Sequence, residues 1–113
     1  SAYRAMKRLV EKYPDLTAVF AMSDVMAIGA IRALRDMDYR VPEDISVIGY
    51  DNIYWDDYVY PRLTTVQQPI FDLGAGATKM LIEQISHNSV EARVQNFPVK
   101  LIKRDSTSSY RPK

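Results

Sequence analysis

DISVIGYDN, residues 44–52, is the stretch on which the fold turns. Ile45 to Gly49 is a short apolar run of the kind that fills a strand covered on both faces. It passes without a break into Tyr50, Asp51 and Asn52, which suit water or a polar ligand. Working backwards, the loop DYRVPED carries Pro42, and before it lies a helical pattern ending at about Asp38. Ser23 or Asp24 supplies its N-cap. A second β-capable run, Thr17 to Met22, precedes that cap. Strand, helix and strand in this order make a unit that is nearly always parallel and right-handed. The fold class read from it is α/β, with a mostly parallel sheet flanked by helices and with both strands buried on two faces.

At the N-terminal side, Tyr3, Met6, Leu9, Val10 and Tyr13 recur at helical spacing, so residues 2 to 13 form an amphipathic helix ended by Pro14 and Asp15. SAYRAMKRL is already helical in character, and the expectation is that the chain was cut from something longer. After the central unit, NIYWDDYVYP is a loop or short helix, and RLTTVQQP an extended segment closed by Pro69. Residues 70 to 87 return to helical spacing through Ile70, Leu73, Ala77, Leu81 and Ile85, and Asn88 and Ser89 break the pattern. Val94 to Lys103 is rich in strand formers, and there is no internal repeat.

The 113 residues are 47% apolar and 26% charged, the balance of one ordinary globular domain. A net charge of +1 provides no footprint for a phosphate backbone or an anionic membrane. With no cysteine and one histidine, thiolate and histidine-rich metal sites are excluded. No run approaches the ~20 apolar residues of a membrane span. Neither a cofactor nor a metal is expected, since Asp24, Asp51, Asp56 and Asp57 lack the alternating spacing of a calcium loop.

In open parallel sheets, ligands sit beyond the carboxyl ends of the strands. Ser23 and Asp24 follow one strand and Asp51 and Asn52 the next, so neighbouring strands would gather two acids and two neutral polar side chains at one crevice edge. Such a set suits a hydroxyl-bearing small molecule, a sugar above all. Asp24 has the alternative of capping its helix, and Asp51 that of shaping a turn. Paired carboxylates also serve acid and base chemistry on glycosides, but no nucleophile motif accompanies these two. Tyr54, Trp55, Tyr58 and Tyr60 can form a local core, a stacking platform or a protein interface.

AVFAMSDVMAIGAIRAL, VPEDISVIGYDN, PRLTTVQQP and IKRDST, in this order, closely resemble the effector-binding domain of the lactose and galactose repressor (LacI/GalR) family of bacterial transcription regulators. The resemblance runs through nearly the whole chain. It implies a partial type I periplasmic-binding-protein-like fold: residues 1–66 and about 98–113 in the C-terminal lobe, and about 67–90 as a crossing segment and helix of the N-terminal lobe. It implies a DNA-binding domain outside this chain, a homodimer, a small effector that is a sugar or sugar phosphate, operator DNA as partner, no membrane contact, no enzymatic activity and a cytoplasmic location. An exported sugar-binding protein of a transporter is the alternative with the same fold.

Carried over by position, the resemblance puts Ser23, Asp51, Gln68 and Ile70 at the effector, with Asp24 as helix cap or cleft residue. Ile70 stands where the lactose repressor has a phenylalanine. Ile28, Ile31, Arg32, Trp55, Tyr58 and Val59 match the dimer interface. In one branch of the family the helix matching 70 to 87 binds a phosphorylated carrier protein. Asp72 and Lys79 would serve there, with Glu83 in place of a second basic residue.

Overall fold

The structure is a computed structural model that describes residues 1–88, 91–110 and 112. Its elements are α1 (Ala2–Lys12), β1 (Ala18–Phe20), α2 (Asp24–Asp36), β2 (Ser46–Ile48), a 3-10 turn at Tyr54–Asp57, β3 (Thr65–Gln67), α3 (Ile70–Ser86) and β4 (Lys100–Ile102). They fall into two compact units: Ser1–Gln67 with Leu101–Lys113, and Gln68–Lys100.

In the larger unit, α1 starts where Ser1 Oγ accepts the Arg4 N–H and ends with Lys12 in its last turn, a cation suited to the negative helix end. The helical spacing is realised: Met6 and Val10 face inward and α1 packs along α2. The buried apolar residues of α2 are Ala27, Ala30, Ile31, Ala33 and Leu34, and the backbone of Gly29 lies close to α1, where a Cβ would stand 3.5 Å from that of Ala2. Ile45, Val47 and Leu63 complete the core, and full burial of each large aliphatic side chain stabilises the fold by roughly 1.5–3 kcal/mol.

β1 and β2 pair in parallel, Ala18 opposite Ser46 and Phe20 opposite Ile48. The second edge of β2 is also covered. Gly49 N–H donates to Thr64 O at 3.0 Å, Asp51 N–H to Val66 O at 2.9 Å, and Val47 N–H to Ser106 O at 2.8 Å. Ser106 is wholly buried; its hydroxyl donates to Val47 O and accepts the Thr64 N–H. β3 pairs with β4.

Two expectations need correction. β1 is not buried on both faces: Val19 packs on the core, but Phe20 is 60% exposed. Period-two alternation puts Val19 on the face that packs on the core and Ala18 and Phe20 on the opposite, exposed face. The strand-forming run from Val94 yields only Lys100–Ile102. Pro98 cannot donate to a ladder, and Val94 stays 88% exposed.

In the smaller unit, α3 follows Pro69, which offers no side-chain cap. Phe97 lies over Gly76, where a Cβ would come within 2.8 Å of the ring. The helix ends at His87, and Asn88 follows with φ 49°. Ser89, the other expected breaker, and Val90, where the crossing segment was expected to end, lie outside the described residues.

Candidate functional site at the strand ends

Parallel pairing of β1 with β2 brings the two strand ends together, as the sheet rule requires. Ala21 N–H donates to Ile48 O at 2.8 Å, and Asp24 N–H to Tyr50 O at 2.9 Å. Ser23 is the cap of α2: its backbone is extended and its Oγ accepts the Met26 N–H at 3.2 Å. Asp24 is therefore the first helical residue, not the cap. It is wholly buried and turned away from solvent. Its Oδ1 accepts the Thr65 hydroxyl at 2.6 Å and its Oδ2 the Ile53 N–H at 2.9 Å. Gly49 exists for this carboxylate, because a Cβ there would overlap Asp24 Oδ1. Both oxygens of Asp24 thus hold donors from within the fold, and the side chain offers no surface to solvent.

Between the two backbone groups that Asp24 holds, the chain turns sharply. Asp51 has φ 124° and Asn52 φ 58°, two successive non-glycine residues in the left-handed half of backbone space. Each such residue costs on the order of 1–3 kcal/mol and persists only when its surroundings fix it. The fixings are explicit. Asp51 N–H donates to Val66 O, and Asn52 N–H donates to Thr65 Oγ1 at 3.3 Å. Arg104 Nη2 donates to Asn52 Oδ1 at 2.8 Å. The same guanidinium donates through Nη1 to Leu63 O and through Nε to Asp57 Oδ1. Its side chain is only 12% exposed. The polar shell beneath the turn is thus Asp24, Thr65 and Arg104, and it leaves Asp51 half-buried at the strand end.

Thr65 and Arg104 escaped the sequence reading, and Asp56 entered it only among the aspartates weighed for a metal. Thr65 is 41 residues from Asp24, and Arg104 is 52 from Asn52, so no local pattern joins them. Asp56 and Asp57 look alike in sequence, yet the 3-10 turn aims Asp56 into the interior and leaves Asp57 56% exposed. Burial, then the nearby Asp24 carboxylate, raise the Asp56 pKa to about 8. The one available signal was Gly49, a glycine closing an apolar strand where a side chain would need room.

Of the other expected site residues, Gln68 and Ile70 belong to the smaller unit, Gln68 half-buried and Ile70 exposed. Ile31 is 5% exposed and part of the core cluster. Helical geometry explains this: Ile31 shares the face of Ala27 and Leu34. Ile28 and Val59 pack half-buried at the margin of the core, and Arg32 pairs with Asp36 one turn on. Trp55 and Tyr58 are exposed and meet Tyr54 at ring distances of 5.4 and 5.0 Å. Tyr60 lies 5.0 Å beneath the Arg35 guanidinium. The aromatic residues thus form a surface cluster and not a core. Asp72 and Lys79 line a cavity of about 540 Å³ with Glu83, Arg93 and Phe97, all within the smaller unit. Among the described residues, no three histidine, aspartate or glutamate side chains gather as a metal site.

Comparison with known proteins agrees with this geometry. The model of the periplasmic binding protein-like domain family matches residues 1–107. The ribose operon repressor of Halalkalibacterium halodurans is 40% identical over 106 residues, covering 94% of this chain and 32% of the relative. Among solved structures, the complex of the transcriptional regulator CelR with cellobiose superposes with a TM-score of 0.88 at 36% identity, covering 94% of this chain and 32% of that one. A LacI family transcriptional regulator from Enterococcus faecium with bound ribose superposes with a TM-score of 0.79 at 40% identity, covering 94% of this chain and 39% of that one. The chain spans about a third of the length of the curated relatives it matches.

Proposed function

The chain belongs to the periplasmic binding protein-like domain family, among its LacI-type transcriptional regulators, and from that premise we propose that it helps bind a small sugar controlling a regulator's hold on DNA. The observation that carries the reading is the Tyr50–Ile53 turn. Strain of this kind is retained where a side chain must be held in one place, and here the side chain is Asp51 at the open end of β2. An ionised carboxylate offers about four acceptor sites, which suits adjacent sugar hydroxyls. Ribose is the first sugar to test, because it is named for a repressor and bound in a regulator that are each 40% identical to this chain. Ser23, in the same unit, adds a hydrogen-bonding group.

On this reading the larger unit belongs to the C-terminal lobe of the effector domain and the smaller unit to the N-terminal lobe. Ile28, Arg32, Trp55, Tyr58 and Val59 meet a second copy. Operator DNA is met in the cytoplasm by a part of the regulator other than these residues. The sugar acts by binding one lobe arrangement more tightly than the other, since only differential affinity shifts an equilibrium. An exported transport receptor would share the fold, but the curated relatives are repressors. Their being regulators, together with the burial of Asp24, also favours binding over catalysis.

Titration calorimetry of the full-length protein tests the reading. Asp51→Ala should cost about 1.5–3 kcal/mol of ribose affinity, the usual loss for hydrogen bonds to a charged group. Wild-type affinity in the variant would sink the assignment of Asp51.

A further inference from the structure

Asp24 and Asp56 are both wholly buried, on different elements, and they face one another beneath the strand-end turn. The two carboxyl groups are not equivalent. Asp24 has donors on both oxygens, the Thr65 hydroxyl and the Ile53 N–H. Neither oxygen of Asp56 receives a hydrogen bond from a described donor, and the nearest cation, Arg104 Nη1, stands 3.7 Å from Oδ2. Arg104 is already committed to Asn52, Leu63 and Asp57. Two ionised carboxylates meeting in a dry interior, one of them without a donor, would carry a desolvation cost and a like-charge repulsion together. One proton removes both, because a protonated Asp56 donates to a free lone pair of Asp24.

We propose that Asp24 and Asp56 share a single proton, carried by Asp56, and that this proton positions the Tyr50–Ile53 turn and with it Asp51. Asp24 is the link. Its backbone N–H holds Tyr50 O, its Oδ2 holds the Ile53 N–H, and its Oδ1 orders the Thr65 hydroxyl that receives the Asn52 N–H. When the proton leaves, the two charges push apart and the carboxylate that clamps both ends of the turn moves. Asp56 is thus a positioning residue, acting on the ligand through Asp24 and the turn.

The groups facing Asp56 agree in sign. Asp24 on α2 favours the neutral form, as does burial; Arg104 after β4 and the Ile53 N–H oppose it and do not prevail. Asp57, on the same turn, is directed outward onto Arg104. A folded-state pKa of about 8 against an ordinary 3.8 means that the folded chain holds one more proton than the unfolded chain between those values. The contribution to stability is complete below the unfolded value and declines as pH rises towards the folded one.

The inference about Asp51 rests on the proposed function; the inference about the proton does not. Carbon-13 NMR of the full-length protein, labelled at aspartate carboxyls, reads the proton directly. A carboxyl resonance that titrates near pH 8 and vanishes in Asp56→Asn is expected. The amide resonances of Asp51, Asn52 and Ile53 should move with the same midpoint, and the Asn variant, a permanent donor to Asp24, should abolish that movement. An Asp56 carboxyl that titrates in the ordinary carboxylate range overturns the shared proton, and turn amides that ignore the titration overturn the positioning. Ribose calorimetry at pH 6 and pH 9.5 adds the functional arm. A several-fold loss of affinity at the higher pH in wild type and not in Asp56→Asn supports the coupling, and flat affinity in wild type refutes it. No ribose binding at either pH refutes the sugar reading instead, while the amide titration still decides the proton.

Discussion

Helices α1 and α3 are both amphipathic in sequence, yet only one of them has its apolar face covered among the described residues. In α1, Met6 and Val10 are each 3% exposed against α2. In α3 no residue is buried, and Ile70, Phe71, Leu81, Ile82 and Ile85 are all more than half exposed. The difference teaches that spacing decides which residues make a face, while packing decides whether that face stabilises anything. Helical stability in proteins comes mostly from the second. In this chain the stabilising contacts are concentrated in the larger unit, where the core cluster and the polar shell under the strand-end turn adjoin through Leu63.

The sharpest way to break the comparison is to cut equal leucines from both regions. Leu34→Ala should lower the stability of this chain by about 2–5 kcal/mol, because Leu34 is wholly buried. Leu81→Ala should change it by about 0.5 kcal/mol or less. Urea unfolding measures both, and similar costs would refute the contrast. A smaller effect asks whether the polar shell belongs to the stable region. Arg104→Met removes the donors to Asn52 Oδ1 and Leu63 O, and a loss of about 2–3 kcal/mol is expected in the same assay. A neutral result would confine stability to the apolar core. Smallest is the cap: Ser23→Ala should cost about 1 kcal/mol, while α3 has no side-chain cap to lose. A cost within error would mean that packing alone fixes the start of α2.

What the sequence disclosed follows the range of the forces involved. The positions of α1, α2 and β2 are local: periodic apolar residues, a Ser or Asp at the helix start, a Pro in the loop. The parallel pairing of β1 with β2 follows from connection length and chirality. The inward turn of Asp24 was not legible, because it depends on Thr65 and Ile53 arriving from elsewhere in the chain. Nor was the burial of Ile31, whose residue type suits a core and an interface equally. The resemblance to a regulator family pointed to Ser23 and Asp51 as candidates for the effector, but it passed over Asp56, whose burial beside Asp24 depends on the 3-10 turn.

Ser106 joins segments that are far apart in the chain. Its carbonyl takes the Val47 N–H and its hydroxyl bridges Val47 O and the Thr64 N–H, while Asp105 binds Arg62 and Arg104 reaches Asn52 and Leu63. Every one of these bonds joins the larger unit's first segment to its last, and none depends on the covalent path through residues 68–100. A protease that cuts that path would therefore leave a nicked protein and not two fragments, the tail retained by the same bonds that shelter the edge of β2.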